Sequence, residues 1–372
     1  MRKILLATAS VSALCTFAMK AQAQMTVSLG GYTEFFAGFY NDDTGPGRTS
    51  REFQLEAEIV VKADGKADNG LLYGVKVELQ NSTGPGASPS VNRTSVGTDE
   101  ASVYVGGTWG RFELGDFDGA ADTLKIYAPV IGIEQIDGDY TDFAGAPPNF
   151  GIHIPNSSDA TKIMYLTPRI AGFQAGASYT PESDNEAQAV VPLKNTSQYK
   201  DFAEFGVNYT GEFSGFGVQL GATLTTAEGQ PRTISGSVKD FTAWNLGALL
   251  TYGDFALGGG YVDAGDFKVP TTGAIDNDQS VWHAGLSYTT GPVAVIATYM
   301  DAKGYSSAYG DPTYSTSYKA YGLGATYALA PGLLLETDLM YFEDDFLTGP
   351  RGTTAKSSND GYVFVVGTRV DF

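Results

Sequence analysis

The chain of 372 residues carries 42 Asp and Glu against 23 Lys and Arg, which gives a formal net charge of −19 at pH 7. This acidic excess argues against nucleic acid as a partner, because a polyanion is repelled by an acidic surface. The 47 glycines and the aromatic residues (22 Tyr, 21 Phe and 3 Trp) are typical of many strands joined by tight turns, not of a helical protein.

The first 23 residues are predicted to be a secretory signal peptide. Arg2 and Lys3 form its charged start, residues 4–19 form its apolar stretch, and residues 21–23 (Ala-Gln-Ala) form a small-residue cleavage site. No later apolar run approaches the roughly 18 residues of a transmembrane helix.

The remaining domain, 24–372, contains no cysteine, because the one cysteine of the chain is Cys15. Disulfides therefore cannot stabilise this domain. Loss of the signal peptide also lowers Lys and Arg from 23 to 20, so the net charge changes from −19 to −22. The charge itself is compatible with two roles, solubility or a surface that attracts cations.

Segments in which apolar and polar residues alternate recur along this domain. In the first segment, one face carries Val27, Leu29 and Phe35, and the opposite face carries Tyr32 and Glu34. Alternate side chains of a β-strand point to opposite sides, so the pattern predicts strands with one apolar face.

The last segment, GYVFVVGTRVDF, follows the same pattern up to its final residue. One face carries Tyr362, Phe364, Val366, Thr368, Val370 and Phe372. A strand whose apolar face reaches the end of the chain would leave an unpaired edge, unless it pairs with the first strand of a closed barrel.

Short and long connections alternate between these segments. Tight links such as 211–215 and 329–332 are followed by long polar links such as 116–160 and 343–358. About sixteen strands lie between the breaks. The sequence therefore predicts an all-β protein, a transmembrane antiparallel up-and-down β-barrel with all long loops at one end.

A secreted β-sandwich is the alternative fold. Its strands would also alternate, but they are usually about 5–6 residues long, and its apolar faces would form a core. Mid-strand carboxylates and lysines fit a water-filled lumen better, since a charge facing lipid near the midplane costs roughly 2–4 kcal/mol.

Residues for enzymatic chemistry are not assembled in the sequence. Its two histidines, His153 and His283, have no Cys or carboxylate at metal-ligand spacing. The glycine-rich stretches 215–221 and 322–328 lie within strand alternation and do not open a helix, so small residues facing a lumen explain them better than a nucleotide loop. We therefore expect no enzyme activity and no cofactor.

Three stretches resemble the general porins of Gram-negative bacteria, the trimeric sixteen-stranded type, in their alphaproteobacterial branch. They are DEASVYVGGTWGRFELGDFDGAADTL (99–124), KIMYLTPRIAGFQAGASYTP (162–181) and the terminal Phe372. The resemblance covers essentially the whole of 24–372. It implies a homotrimer, contact with outer-membrane lipid and lipopolysaccharide, and recognition of Phe372 by the barrel-assembly machinery.

The resemblance further implies that 116–160 is the third loop, which folds into the barrel and narrows the pore. Family constrictions set acidic residues of this loop against basic residues of the facing wall. The acidic candidates here are Asp116, Asp118, Asp122, Glu134, Asp137, Asp139 and Asp142. The basic candidates are Arg51, Lys62, Lys76, Arg93 and Arg111. This basic set is thinner than an arginine cluster, which argues against a strong transverse field. Because excess carboxylate attracts cations, we expect a cation preference.

Calcium at Asp116, Asp118 and Asp122 is a weaker expectation, based on the clustering of oxygen ligands in DFDGAAD. For function, the expectation is an outer-membrane channel for passive diffusion of small hydrophilic solutes and ions. Two alternatives remain open: a solute-specific channel, and a surface-binding barrel whose loops carry the function.

Overall fold

The computed structural model describes residues 25–43, 49–82, 95–133, 135–138, 140–143, 151–183, 186, 197–231, 237–271, 279–304, 314–348 and 355–372. The predicted signal peptide, and the candidates Arg93, Glu134 and Asp139, lie outside the described residues.

Sixteen strands form the described part of the chain. They are β1 (Thr26–Asp42), β2 (Arg51–Lys66), β3 (Leu72–Ser82), β4 (Ser95–Gly107), β5 (Gly110–Asp116), β6 (Thr161–Leu166), β7 (Phe173–Glu182), β8 (Tyr199–Phe213), β9 (Phe216–Gly229), β10 (Phe241–Tyr252), β11 (Phe255–Gly265), β12 (Gln279–Thr290), β13 (Val293–Lys303), β14 (Tyr314–Ala330), β15 (Leu333–Thr348) and β16 (Ala355–Asp371). Between β5 and β6 lie helix α1 (Ala120–Leu124), a 3₁₀ turn (Gln135–Asp137) and helix α2 (Tyr140–Phe143).

Each strand pairs antiparallel with the next, and β1 pairs with β16, so the sheet closes into a barrel. At the seam, the Gly31 amide donates to the Phe372 carbonyl at 3.1 Å, and the Phe372 amide donates back to the Gly31 carbonyl at 3.0 Å. The prediction that the last strand closes a barrel of about sixteen strands is confirmed.

Tight turns lie at one end of the barrel, the turn end, and long connections lie at the other, the loop end. The turn between β8 and β9 consists of Ser214 and Gly215, with φ of 52° and 83°. Positive φ at both central residues matches the right-handed twist of the paired strands. Among the described residues, no helix combines the length and the apolar character needed to cross a bilayer.

The outer face of the barrel is apolar between two belts of aromatic rings. At the turn end, neighbouring rings include Trp109–Phe112, Phe173–Tyr209, Phe216–Tyr252 and Phe255–Tyr288. Towards the loop end they include Trp244–Tyr261, Trp282–Tyr299 and Tyr299–Tyr321. Aromatic rings at both edges of an apolar band are typical of a barrel that spans the outer membrane.

The connection between β5 and β6 enters the barrel because these two strands are short. They have 7 and 6 residues, whereas β7 and β8 next to them have 10 and 15. The chain therefore leaves the wall well below the loop end, and α1 packs against the inside of β6, β7, β8 and β9. This confirms the expected long third loop folded into the lumen.

Part of the inner wall is apolar, which the alternation had not indicated. Met300, Met340, Val363 and Val365 face inward and are buried together with Ile136 of the loop. The wall is apolar there because the loop covers it and excludes water.

Candidate channel constriction

Glu204 of β8 ties the two ends of the internal loop to the wall. Its side chain is fully buried, its Oε2 accepts from the Ala121 amide at 3.2 Å, and its Oε1 accepts from the Ser157 amide at 3.1 Å and the Ser157 hydroxyl at 2.6 Å. Hydrogen bonds to a charged group contribute about 1.5–3 kcal/mol each. One carboxylate thus fixes the loop where it enters and where it leaves the lumen.

Asp338 of β15 holds the middle of the loop on the opposite side of the barrel. It accepts from the Gln135 amide at 3.2 Å and from Gln135 Nε2 at 2.7 Å. Gln135 has a φ of 35°, a backbone conformation that residues other than glycine rarely adopt. Nearby, the hydroxyls of Tyr140 and Tyr318 lie 3.0 Å apart. Two wall carboxylates therefore hold the loop at widely separated strands.

The far part of the loop reaches β1 and β2. Helix α2 contacts β1 and β16, and Gln54 Nε2 of β2 donates to Asp142 Oδ2 at 2.7 Å. The loop therefore follows the inner wall from β6 around to β1 and touches β2 at Gln54, and most of the wall formed by β2, β3 and β4 faces the open lumen.

A β-bulge shapes this facing wall. The register between β3 and β4 shifts so that Asp99 and Glu100 together lie opposite the single residue Glu78. A bulge redirects the side chains of the bulged strand. As a result, two consecutive residues of β4 both bring carboxylates towards the lumen.

The bulge joins two carboxylate groups. One oxygen each from Glu58, Glu78 and Asp99 lie within 4.8 Å of one another, and the same is true of Glu100, Asp118 and Asp159. The second group joins the wall to both ends of the loop. At an effective dielectric constant of about 20, two charges about 5 Å apart repel by roughly 3 kcal/mol. A proton or a cation nearby lowers the repulsion within such a group.

Protonation of the loop acids is shifted by these surroundings. Burial and the neighbouring charge of Asp122 raise the pKa of Asp118 to about 8. Burial and the charges of Glu100 and Asp99 raise the pKa of Asp159 to about 6. Burial also acts on Asp122, but the charge and hydrogen bond of Lys125 outweigh it and lower the pKa of that carboxyl. At neutral pH, Asp118 is therefore largely protonated and Asp122 is ionised.

Of the four predicted basic residues that the structure describes, two are neighbours on the inner wall, Lys62 and Lys76. Lys76 Nζ lies between Glu78, at 3.1 Å, and Glu100. Arg111 lies at the turn end, where it pairs with Glu113 at 2.8 Å. Arg51, the first residue of β2, lies opposite the outward-facing Phe39 and shares the parity of the outward-facing Phe53, so it is not a lumen residue, contrary to the prediction. Lys62 has inward parity and pairs in register with Lys76. The structure does not gather these residues into a basic row.

The predicted acidic residues divide into three sets. Asp118 and Asp122 lie together at the start of the loop. Asp137 bonds to His153, and Asp142 bonds to Gln54. Asp116 differs: it ends β5 in register with Ala101 and Thr161, on the outward side, and its Oδ1 accepts from the Thr161 hydroxyl at 2.6 Å.

The calcium expectation is affected by this placement. Asp116 is turned towards Thr161, whereas Asp118 lies with Glu100 and Asp159. The expected trio Asp116, Asp118 and Asp122 is therefore not brought together as one set of oxygen ligands. Calcium binding itself stays a prediction.

Sequence reasoning missed the carboxylates of the facing wall. The alternation of β2 and β3 puts Glu58 and Glu78 on the polar face, but the family resemblance implies basic residues on this wall. Asp99 and Glu100 were missed for a different reason. Strict alternation sends consecutive residues to opposite faces, and the bulge that overrides it has no clear signal in the sequence.

A closed barrel with an apolar exterior and a lumen narrowed by an internal loop defines a channel-forming protein of the outer membrane. The family model of Gram-negative porins matches residues 7–347. The chain therefore belongs to the Gram-negative porin family.

Relatives and solved structures agree with this family. Uncharacterized proteins of Rickettsia bellii and Rickettsia conorii are each 22% identical, over 100% and 82% of this chain and of the respective relative. An engineered variant of the porin of Rh. blastica matches with a TM-score of 0.58 at 19% identity, covering 93% of this chain and all of that one. A triple mutant of Rhodopseudomonas blastica porin matches equally well, at 18% identity. The structural likeness shows the shared fold.

Proposed function

We propose that this porin forms a water-filled channel for the passive diffusion of small hydrophilic solutes and ions, and that it prefers cations. The observation that carries the preference is the acidic wall of β2–β4, which faces the loop across the lumen. Glu58, Glu78, Asp99 and Glu100 lie on this wall, and rings of carboxylates attract cations in channels.

Two basic residues of the inner wall, Lys76 and Arg111, do not offset this charge. Lys76 is bound between two glutamates, so its charge is largely neutralised where it lies. Arg111 is neutralised in the same way by Glu113. The loop and the wall thus both carry negative charge. This arrangement attracts cations and does not create a strong electric field across the pore.

Single-channel recording in a planar bilayer with a salt gradient tests this proposal. We expect stepwise openings with a linear current–voltage relation, and a reversal potential with the sign of cation preference. The triple variant Glu58→Gln, Glu78→Gln and Asp99→Asn should bring the reversal potential closer to zero. A reversal potential of anion sign, or a triple variant that behaves as the parent, would contradict the proposal.

A matched control removes three carboxylates elsewhere. Asp68, Glu212 and Asp254 are exposed at the turn end of the barrel. The variant Asp68→Asn, Glu212→Gln and Asp254→Asn changes the net charge by the same amount but leaves the wall of β2–β4 intact. Its reversal potential should stay close to that of the parent.

The porin is also proposed to be a homotrimer in contact with lipid and lipopolysaccharide. Supporting evidence is the turn-end part of β1, where two aliphatic side chains are strongly exposed on the outer face, Val27 at 69% and Leu29 at 66%. Strands β5 to β12 carry aromatic rings at this end of the barrel. Cross-linking of the detergent-folded protein should give trimers, and replacing Val27 and Leu29 by Lys should give monomers. Trimers that persist in this variant would place the interface elsewhere.

A further inference from the structure

Six glycines line the inner wall where the first part of the loop crosses it. They are Gly176, Gly206, Gly221, Gly247, Gly258 and Gly285, one on each strand from β7 to β12, and we call them the glycine row. They form three directly opposed cross-strand pairs, Gly176 with Gly206, Gly221 with Gly247, and Gly258 with Gly285.

Backbone conformation does not require glycine at these positions. None of the six has a φ in the left-handed region, so a side chain would be tolerated by the backbone itself. Glycine inside a strand weakens the strand, and it often marks a place where another backbone approaches closely.

The loop supplies that close approach. A Cβ atom on Gly206 would lie 2.7 Å from Leu124 Cβ, and one on Gly221 would lie 2.8 Å from Ile126 Cγ1. On Gly247 it would lie 1.6 Å from the carbonyl oxygen of Ile126. A backbone atom cannot rotate away as the end of a side chain can, so the whole loop segment would have to move.

The contacts continue along the row. A Cβ on Gly176 would lie 3.1 Å from Leu124 Cδ1, and one on Gly258 would lie 3.1 Å from Pro129 Cδ. On Gly285 it would lie 3.3 Å from Ala128 Cβ. All six positions thus face the same segment, 120–129.

We propose that the glycine row is the seat of the internal loop: it sets how closely segment 120–129 approaches the wall, and thereby the width of the open lumen. The row acts by positioning, since its glycines contribute no group to the diffusing solute. The effect on conductance rests on the proposed channel function, whereas the seating itself does not.

The first test replaces one glycine of the row. In Gly247→Ala, the Ile126 carbonyl must retreat by about 1.4 Å, from 1.6 Å to the 3.0 Å below which Cβ contacts are essentially not found. The barrel wall blocks one direction, so the loop moves into the lumen and single-channel conductance should fall. Unchanged conductance in a folded barrel would overturn the proposal, and heat-modifiable migration in detergent gels checks the fold.

Gly217→Ala is the matched control on the neighbouring strand β9. Gly217 has the same inward parity as Gly221, but a Cβ there would meet only Thr251 within 4 Å, and no atom of the loop. Its conductance should equal that of the parent. An equal fall in both variants would show that any added methyl group in the lumen has the effect, and it would overturn the specific role of the row.

The second test does not depend on conductance. The 3.3 Å between Ala128 Cβ and a Cβ at Gly285 is close to the 3.5–4.5 Å of disulfides, and the domain 24–372 has no cysteine of its own. The pair Ala128→Cys and Gly285→Cys should therefore cross-link on oxidation, while Ala128→Cys with Gly217→Cys should not. Failure of the first pair to cross-link in folded protein would overturn the seat.

The two tests separate the proposals. If the first cysteine pair cross-links but the parent protein shows no openings in a bilayer, the seat stands and the channel function falls. If the parent conducts but the pair does not cross-link, the channel function stands and the seat falls.

Discussion

The inner wall of this barrel has two regions that differ in what they face. From β7 to β12 it presents glycines and lies against the loop, whereas β2–β4 present carboxylates and face the open lumen across from it. The covered region determines where the loop lies, and the open region determines the charge that a solute meets. Position and charge of the constriction are therefore specified mainly by separate strands, and the two regions meet where Glu100 lies with Asp118 and Asp159.

The largest effect should come from removing an anchor of the covered region. Glu204→Ala leaves the amides of Ala121 and Ser157 buried without their acceptor, and each such group costs about 1–3 kcal/mol. We expect the loop to leave its place, with noisy openings and faster protease cleavage within 116–160. Glu212→Gln, on the same strand at the turn end, should show neither effect. A loop that stays protected without Glu204 would mean that apolar packing alone holds it.

The charge of the open region can be changed at Lys76. Lys76→Met removes the cation between Glu78 and Glu100 while keeping a similar side-chain length. One unit charge about 7 Å from a passing ion, in water, is worth roughly 0.6 kcal/mol, or a factor of two to three in permeability ratio. We expect cation preference to rise by about that factor, as measured by the reversal potential. A matched variant, Lys66→Met at the turn end of β2, should change it less.

The covered and open regions were not equally predictable from the sequence. The barrel could be predicted from the alternation of apolar and polar residues. The face to which a side chain points depends only on its position within its own strand. Phe364 and Phe372 were placed correctly on the lipid face for this reason. The path of the loop depends on contacts such as Gln135 with Asp338, which lie 203 residues apart, and no local pattern encodes such a pair.

Two further features depended on the same missing information. The prediction that the glycines of 215–221 face a lumen is correct for Gly221, but the sequence does not reveal that Ile126 lies against this residue. The inward position of both Asp99 and Glu100 could be predicted only by knowing of the bulge opposite Glu78. Sequence patterns thus gave the faces of the strands, while the residues that shape the constriction depended on register and on the loop.

Acidic pH should weaken the cation preference, because it protonates two carboxyl groups at the place where the two regions meet. The pKa of Asp118 is raised to about 8 and that of Asp159 to about 6. A carboxyl with a raised pKa is neutral below that pH and charged above it, so the lumen gains negative charge between pH 6 and 8. Cation preference should therefore increase over this window, by a factor similar to that of one charge.

The control for this pH dependence is Asp118→Asn. It removes the group that titrates near pH 8 and keeps its size, so the upper part of the rise should disappear. Reversal potentials at pH 5.5, 7 and 9 measure both proteins. A rise that persists in full in the variant would assign the titration to other carboxylates, such as those of the open wall.

The smallest effect on the folded protein is expected at the seam between β16 and β1, outside both regions. The ring of Phe372 is 58% exposed on the outer face, and the bonds that close the barrel come from its backbone. Phe372→Ala keeps those bonds and loses only part of the roughly 1.5–3 kcal/mol that burial of a large apolar side chain in lipid provides. Denaturant unfolding of the detergent-folded variant should thus differ from the parent by about 1 kcal/mol. The yield in the outer membrane of cells should fall much more, if the assembly machinery reads this residue as proposed from the family resemblance. If the free energy of unfolding fell far enough to explain the lower yield, the ring itself would hold the seam closed.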